Sequence, residues 1–144
     1  MKIEAYAVKQ PGGKAEPFAY ERQVGENEVL PYPAQHFASA IAFYAIVHFD
    51  YDQIDMAFKE VNRVLKPGAH FLFSFHVGEE TVHFDKANDI DVDIDLHFLQ
   101  THRILKLLSD NTFKIIDTLE RLPYPDVEYA TKRAYVWAEK GAVV

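Results

Sequence analysis

Apolar residues along the chain change their spacing from one segment to the next, and each spacing predicts an element. Residues 37–43 (FASAIAF) are almost continuously apolar, which is typical of a strand buried on both faces of a parallel sheet. Residues 70–77 (HFLFSFHV) are short and rich in aromatic side chains, which predicts a second buried strand. Both segments are too short for buried helices of ordinary length.

Between these two strands the pattern is helical. Apolar residues recur three or four positions apart, at Ile54, Phe58, Val61 and Leu65. Asp50 or Asp52 is the predicted N-cap, and Pro67-Gly68 is the predicted stop. Strand, helix and strand in this order form a βαβ unit with a right-handed crossover, so the predicted fold class is α/β.

The downstream segments complete the predicted layout. A helix is expected after Thr101, which we interpret as its cap, and it ends near Asn111. Strands are predicted at Phe113–Leu122 and Arg133–Glu139, with a turn at Pro123–Asp126 between them. These two strands are expected to close the sheet as an antiparallel pair.

An acidic row precedes that helix. Aspartates occupy every second position from Asp89 to Asp95, with apolar residues between them, so the segment is expected to be extended with one acidic face. Successive carboxylates on such a face lie roughly 7 Å apart, too far for neighbours to bind one small cation closely. A solvated face that discourages edge pairing is the preferred interpretation.

Composition narrows the function. The 144 residues fit one domain, and a net charge of -7 argues against a nucleic-acid or anionic membrane partner. The sequence contains no cysteine, which excludes disulfides and thiolate metal sites and fits a reducing compartment. No apolar run is long enough to span a bilayer, and residues 1–6 do not resemble a signal peptide. The expectation is a soluble cytoplasmic protein.

Three segments in chain order resemble the carboxyl-terminal half of class I S-adenosylmethionine-dependent methyltransferases. They are LPYPAQHFASAIAFYAIVHF (30–49), FKEVNRVLKPGAHFLFSFHVGEE (58–80) and FKIIDTLERLPYPDVEYATKRAYVWAEK (113–140). The resemblance implies a truncated Rossmann-like half-sheet, ordered strand, helix, strand, helix and antiparallel strand pair. It also implies S-adenosylmethionine as the cofactor.

One part of the family pattern is missing. Such enzymes hold the cofactor with a glycine-rich turn and with a carboxylate that accepts from the ribose hydroxyls. The only adjacent glycines here are Gly12-Gly13, and no helical pattern follows them. We therefore expect a methyltransferase-like protein without unaided methyl transfer. The alternative is a non-catalytic homodimeric binding or interaction module, and an oxidoreductase remnant is a weaker third hypothesis.

The amino-terminal segment has a different texture. Two strand-like runs, Ile3–Val8 and Phe18–Val24, flank a loop with Pro11 to Gly13, which predicts a β-hairpin or a pair of arms. Residues 1–29 resemble the first strands of zinc-containing alcohol dehydrogenases. Two units are therefore expected, 1–29 and 30–144, joined near Glu28 to Pro31 by a natural fusion or in an assembled chimera.

Candidate site residues follow from the methyltransferase resemblance and from strand ends, where open α/β sheets bind ligands. His76 is the candidate general base, since an imidazole with a pKa near 6.5 takes protons at neutral pH. The alternative is a structural or solvated histidine, and core packing is the alternative for the aromatic residues. Candidates for the cofactor are Phe43, Tyr44, Ala45 and His48, and candidates for the substrate pocket are Tyr124 and Tyr129.

A metal site is not expected. His83, His97 and His102 accompany His76 in this half of the chain, but no two of them have the i, i+4 spacing that aims two ligands at one ion from a helix.

The resemblance also has a consequence for assembly. In the family the first strand lies beside the strand that 37–43 resembles, so its absence leaves an apolar edge. Either the amino-terminal arms pair there, or two chains meet edge to edge. A homodimer that also uses the arms is the expected state, with a small molecule as the other possible partner.

Overall fold

The computed structural model describes residues 2–7, 16–21, 29–87 and 89–141. Its elements, in chain order, are β1 Lys2–Ala7, β2 Glu16–Glu21, β3 Phe37–Phe43, a short 3₁₀ turn Ile46–His48, α1 Tyr51–Val64, β4 Leu65–His76, β5 Thr81–Ala87, β6 Ile90–His97, α2 Thr101–Asp110, β7 Phe113–Arg121 and β8 Arg133–Lys140.

Four strands form the central sheet in the order β3-β4-β8-β7. β3 and β4 are parallel, whereas β8 is antiparallel to both of its neighbours. The predicted α/β class, the βαβ unit and the antiparallel close are confirmed, and together they form the Rossmann-like half-sheet expected from the sequence.

The amino-terminal strands form the predicted hairpin. β1 pairs with β2 in antiparallel register, from Lys2 opposite Glu21 to Ala7 opposite Glu16. The predicted loop at Pro11 to Gly13 and the predicted strand ends at Val8 and at 22–24 lie outside the described residues. β1 comes close to β3, but the described residues of the arms do not join its hydrogen-bonded sheet, so the alternative in which an arm pairs with that edge is not seen in them.

One face of the sheet carries the core. Alternate residues of β4 point to this face, and Phe71, Phe73 and Phe75 are completely or almost completely buried there. Phe58 of α1 packs against the first two rings at centroid distances of 5.9 and 5.3 Å. Burying one such side chain contributes about 1.5–3 kcal/mol, so this phenylalanine stack is a main source of stability.

The start of α1 settles one alternative that the sequence left open. Asp50 is the N-cap, because its carboxylate accepts from the backbone of Gln53 at 2.9 Å. The Gln53 side chain in turn accepts from the backbone N–H of Asp50 at 2.9 Å, which completes a capping box.

The end of α1 differs from the prediction. The helix ends at Val64, and Pro67-Gly68 lies inside β4, with Gly68 at a φ of 77°. A proline disfavours helical backbone at the residue before it, so the chain turns extended ahead of the predicted stop. The buried ammonium of Lys140 donates to the carbonyls of Asn62 and Leu65 at 2.6 and 2.7 Å. It thereby satisfies acceptors at the helix terminus.

The start of α2 also differs. Thr101 is the first helical residue rather than the cap; Gln100 is the N-cap and makes no side-chain capping bond. The Thr101 hydroxyl instead donates to Glu120 of β7 at 2.6 Å. Tertiary contact with the neighbouring strand therefore replaced the local interaction that the sequence suggested. Asn111 ends the helix as predicted, and its amide donates to Asp55 of α1 at 2.7 Å.

The acidic row is extended, as predicted, but it has a partner that the sequence pattern did not reveal. β6 pairs with β5 as a separate antiparallel hairpin. Asp89 lies in the turn, with a φ of 63°, rather than in the row. The side chains of Asp91 and Asp93 are 91% and 95% exposed, so the solvated acidic face is confirmed.

The opposite face of the central sheet carries exposed apolar residues. The strand register places Ile41 beside Leu72 and Trp137, and Phe43 in the next row of side chains. The exposed members of this outer face are Ile41, Phe43, Leu119 and Trp137. Neither helix of the described ranges is long and apolar enough to cross a membrane.

Candidate functional site

The candidate site is built where β3 ends. Tyr44 directly follows β3 and has a φ of 51°, a left-handed conformation that is uncommon for a residue other than glycine. Its backbone N–H donates to the carbonyl and to the hydroxyl of Ser74, at 3.0 and 3.1 Å. Ser74 is completely buried in β4. The neighbouring strand thus holds the strained turn that aims the Tyr44 ring over the sheet end.

His76 lies under that ring, at the end of β4. The two rings stack with centroids 5.0 Å apart and an interplanar angle of 26°. Nδ1 of His76 is 2.7 Å from the hydroxyl of Thr131. Nε2 has no hydrogen-bond partner among the described residues and is not sealed from solvent. One ring nitrogen is therefore fixed, and the other is available to a ligand.

The surroundings of His76 keep it neutral. Burial lowers its pKa below the ordinary value of 6.5, and the positive charge of Arg133 lowers it further. Glu128 acts weakly in the opposite direction. A neutral imidazole at pH 7 can accept a proton, which is the state that a general base needs.

Two more aromatic residues contact the imidazole edge to face. Phe98 and Tyr129 lie 6.0 and 6.2 Å from the His76 ring centroid. Gly78 permits this arrangement, because a Cβ at that position would lie 2.8 Å from Cβ of Phe98. The predicted pocket residue Tyr129 thus meets the predicted base, and Phe98 is a wall residue that sequence reasoning missed.

A charged triad stands beside these rings. Strand register places Arg121 of β7 directly opposite Arg133 of β8, which in turn lies opposite His76. Glu128 accepts from Arg121 with both oxygens, at 2.8 and 3.0 Å, and also from Arg133. The carboxylate therefore bridges two like charges that would otherwise repel each other. Arg121 holds the pKa of Glu128 below its ordinary value.

Tyrosine hydroxyls link the triad to the end of β3. The hydroxyls of Tyr44 and Tyr135 lie 2.9 Å apart, and Arg121 donates to Tyr135 at 3.1 Å. Burial raises the pKa of Tyr44, and the bond to Tyr135 raises it further. The Tyr44 phenol is therefore protonated at neutral pH. We call Tyr44, His76, Arg121, Glu128, Arg133 and Tyr135 the rim cluster.

The remaining predicted residues lie around the rim cluster or farther from it. The guanidinium of Arg121 lies 4.4 Å from the ring centroid of Tyr124, and the Phe43 ring meets Tyr135 edge to face at 6.3 Å. Ala45 is partly buried between Tyr44 and the 3₁₀ turn. His48 is exposed, and its Nδ1 lies 3.4 Å from the carbonyl of Asp95. His48 thus contacts the β5–β6 hairpin rather than the rim cluster.

The three arginine and glutamate members of the rim cluster were not predicted. Arg121, Glu128 and Arg133 have no regular spacing in the sequence, and the pairing of β7 with β8 brings them together. The only available signal was a basic residue near the end of one predicted strand, Arg121, and another at the start of the next, Arg133.

The other histidines occupy separate places. Nε2 of His83 lies 2.9 Å from Asp85 and Nδ1 lies 2.7 Å from Asp95, which raises the pKa of His83 above 6.5. His97 contacts Thr81 at 2.9 Å, and His102 lines a groove at the start of α2. Within the part of the chain that the structure describes, no group of three candidate ligands is arranged to hold a metal ion.

That groove lies where the chain leaves β4 and where α2 starts. Its volume is about 560 Å³, and its lining consists of Val77, Gly78, Glu79, Gln100, Thr101, His102, Leu105 and Glu120. The two carboxylates in it are already bonded, Glu79 by Gln100 and Glu120 by Thr101 and Lys132.

Comparison with known proteins agrees with this architecture. A family model described as a methyltransferase domain matches residues 3–73, just under half of the chain. This match begins inside the segment that resembles alcohol dehydrogenases, and that resemblance stays a prediction. A comparison with curated proteins gives no match.

Solved structures show the same fold. An S-adenosylmethionine-dependent methyltransferase from Methanosarcina mazei superposes with a TM-score of 0.68 at 17% identity, over 79% of this chain and 64% of that one. Another from Clostridium acetobutylicum gives 0.58 at 17% identity, over 81% and 62%. The 1,6-didemethyltoxoflavin-N1-methyltransferase of Burkholderia thailandensis, solved with bound 1,6-didemethyltoxoflavin and S-adenosylhomocysteine, gives 0.56 at 17% identity, over 75% and 45%.

The chain therefore has the fold of S-adenosylmethionine-dependent methyltransferases. It spans less than two thirds of the length of each of these structures.

Proposed function

We propose that this chain is the acceptor side of an S-adenosylmethionine-dependent methyltransferase acting on a small molecule. One observation carries the proposal: His76 stands at the end of a central strand with Nδ1 tied to Thr131 and Nε2 free of partners among the described residues. Donation from Nδ1–H to Thr131 leaves the lone pair on Nε2. That nitrogen then takes the proton of the acceptor's hydroxyl or amine.

The residues proposed for the cofactor fit only part of it. Bound S-adenosylmethionine supplies a methyl group activated by the sulfonium. Phe43 and Tyr44 offer ring surfaces for stacking, but Phe43, Tyr44, Ala45 and His48 include no carboxylate to accept from the ribose hydroxyls. The sequence also lacks a glycine-rich turn that leads into a helical pattern, since no such pattern follows Gly12-Gly13. We therefore do not expect unaided methyl transfer, because that reaction depends on holding the methyl donor in line with the acceptor.

Calorimetry tests the cofactor part of the proposal. Titration with S-adenosylmethionine and S-adenosylhomocysteine is expected to show binding that weakens in a Phe43→Ala variant. An Ile90→Ala variant is the matched control, since Ile90 is exposed on the β5–β6 hairpin and is not among the residues proposed for the cofactor. Silence of both ligands at millimolar concentration would contradict cofactor binding by this chain.

A non-catalytic homodimeric module is the second candidate, and the exposed outer face favours it. Phe43 and Leu119 are 51% and 59% exposed, in a row shared with Tyr135. Apolar sheet faces are normally covered, and a second copy would cover this one by sheet-on-sheet packing. Sedimentation at micromolar concentration is expected to show a dimer that a Leu119→Glu variant dissociates. A monomeric wild-type protein would exclude this candidate.

A further inference from the structure

The rim cluster carries more positive than negative charge. Arg121 and Arg133 share a single carboxylate, that of Glu128. The ion pair of the adjacent residues, Lys132 with Glu120, is balanced within itself. The side chain of Arg133 is only 5% exposed, and its Nε has no acceptor in the described parts of the chain. One positive charge therefore remains uncompensated beside His76, in surroundings where water screens it poorly.

This surplus charge acts on any proton transfer at His76. A proton arriving on Nε2 creates an imidazolium close to Arg133, which opposes it, and burial opposes it as well. An anion formed next to the same arginines is stabilised by them. The cluster thus disfavours a strongly basic acceptor and favours one that becomes negatively charged.

The walls add a shape requirement. The rings of Tyr44, His76, Phe98 and Tyr129 follow one another at centroid distances between 5.0 and 6.2 Å. About half of the surface of each of three aromatic residues is exposed: 51% for Phe43, 60% for Tyr124 and 48% for Tyr129. Exposed ring faces around a base are suited to a flat ligand, which they contact by stacking.

We propose that the acceptor is a planar molecule with an acidic hydroxyl, a phenol or an enol, rather than an aliphatic alcohol or a basic amine. Its O–H bond breaks, the proton goes to Nε2 of His76, and the electron pair stays on the oxygen as an oxyanion facing Arg121 and Arg133. This inference rests on the proposed function in placing the acceptor at the rim cluster. It does not depend on methyl transfer occurring.

The experiment uses 4-nitrophenol, whose phenolate absorbs visible light, with 4-nitrobenzyl alcohol as the non-acidic analogue. In the presence of excess protein, the phenol-to-phenolate midpoint is expected to move to lower pH by about one unit. In the proposed complex the ligand faces Tyr44, Arg121, Glu128, Arg133 and Tyr135. Variants that change the charge of this set should therefore change the size or the direction of the midpoint shift.

Three variants sharpen this experiment. Arg121→Gln removes the surplus charge and should abolish the shift, whereas Arg121→Lys preserves the charge and should retain most of it. Glu128→Gln increases the surplus and should enlarge the shift. Circular dichroism establishes that each variant is folded. The midpoint shift is expected to disappear in Arg121→Gln and to grow in Glu128→Gln, and a loosened loop cannot cause both changes.

The outcomes separate this inference from the proposed function. A shift in 4-nitrophenol with no binding of S-adenosylmethionine would support the acceptor class and contradict cofactor binding. Binding of the cofactor with equal affinity for the phenol and the benzyl alcohol, and no spectral shift, would overturn the acceptor class alone. Failure of both aromatic ligands to bind at millimolar concentration would also overturn it.

Discussion

The two faces of the central sheet use aromatic residues in opposite ways. On the inner face, Phe71, Phe73 and Phe75 are sealed in the core and carry no polar atoms, and the first two contact Phe58 of α1. At the end of the outer face, Tyr44 and Tyr135 join rings to hydroxyls and arginines. The same two strands, β4 and β8, alternate between both roles. Stability and candidate chemistry therefore depend on different residues of the same strands.

The largest effect is expected on the inner face. Replacement of Phe73 by alanine leaves a cavity between β4 and Phe58 and should lower the free energy of unfolding by about 3–5 kcal/mol. Urea denaturation measures this loss. A cost below about 1 kcal/mol would mean that the phenylalanine stack does not hold the sheet to its helices.

A smaller loss is expected where the backbone closes on the site. Gly78→Ala places a methyl group 2.8 Å from Cβ of Phe98, so the two segments must separate. Overpacking of this kind costs about 1–3 kcal/mol, and it should also move Phe98 away from His76. Thermal unfolding gives the first quantity, and the chemical shifts of the His76 ring report the second. An unchanged His76 spectrum would show that Phe98 does not wall the base.

Two histidines should have pKa values on opposite sides of 6.5. The pKa of His76 is lower in the folded protein than its ordinary value of 6.5. Its contribution to stability is therefore complete above pH 6.5 and is lost as the pH falls through the lowered, folded-state pKa. The pKa of His83 is higher in the folded protein than 6.5. Its contribution to stability is therefore present below pH 6.5 and is lost as the pH rises through the raised, folded-state pKa. NMR titration measures both pKa values, and the signals that disappear in the His76→Gln and His83→Gln variants assign the two histidines. The reverse order would contradict the described surroundings.

The smallest effect on folding is expected on the outer face. Leu119 is 59% exposed, so Leu119→Ser should change the free energy of unfolding of the monomer by no more than about 0.5 kcal/mol. Denaturation at low protein concentration checks this. A loss comparable with that of Phe73→Ala would show that something covers the outer face even in dilute solution.

The sequence predicted most of the sheet, because its signals are local. Residues 37–43 and 70–77 are apolar runs of strand length, and both are strands. Interactions between distant residues were harder to predict. Thr101 has the chemistry of a cap but bonds to Glu120, and the acidic row shows no sign of pairing with β5.

The candidate site was partly predictable for the same reason. Tyr44, His76 and Tyr129 were found from strand ends and from family resemblance, and the fold brings them together. Arg121, Glu128 and Arg133 depend on the register between β7 and β8, which no local pattern specifies. The left-handed backbone at Tyr44 could not be predicted, because glycine is the usual sequence signal for this conformation and Tyr44 is not glycine.

The position of β8 has a consequence for synthesis on the ribosome. It follows β3, β4 and β7 in the chain, yet it lies between β4 and β7. While it is still inside the exit tunnel, the neighbouring edges of β4 and β7 have no partner, and the carbonyls at the end of α1 lack the ammonium of Lys140. The nascent chain therefore has to remain unaggregated with an open apolar sheet until β8 arrives. A chaperone that shields apolar strands would have the most effect during this interval.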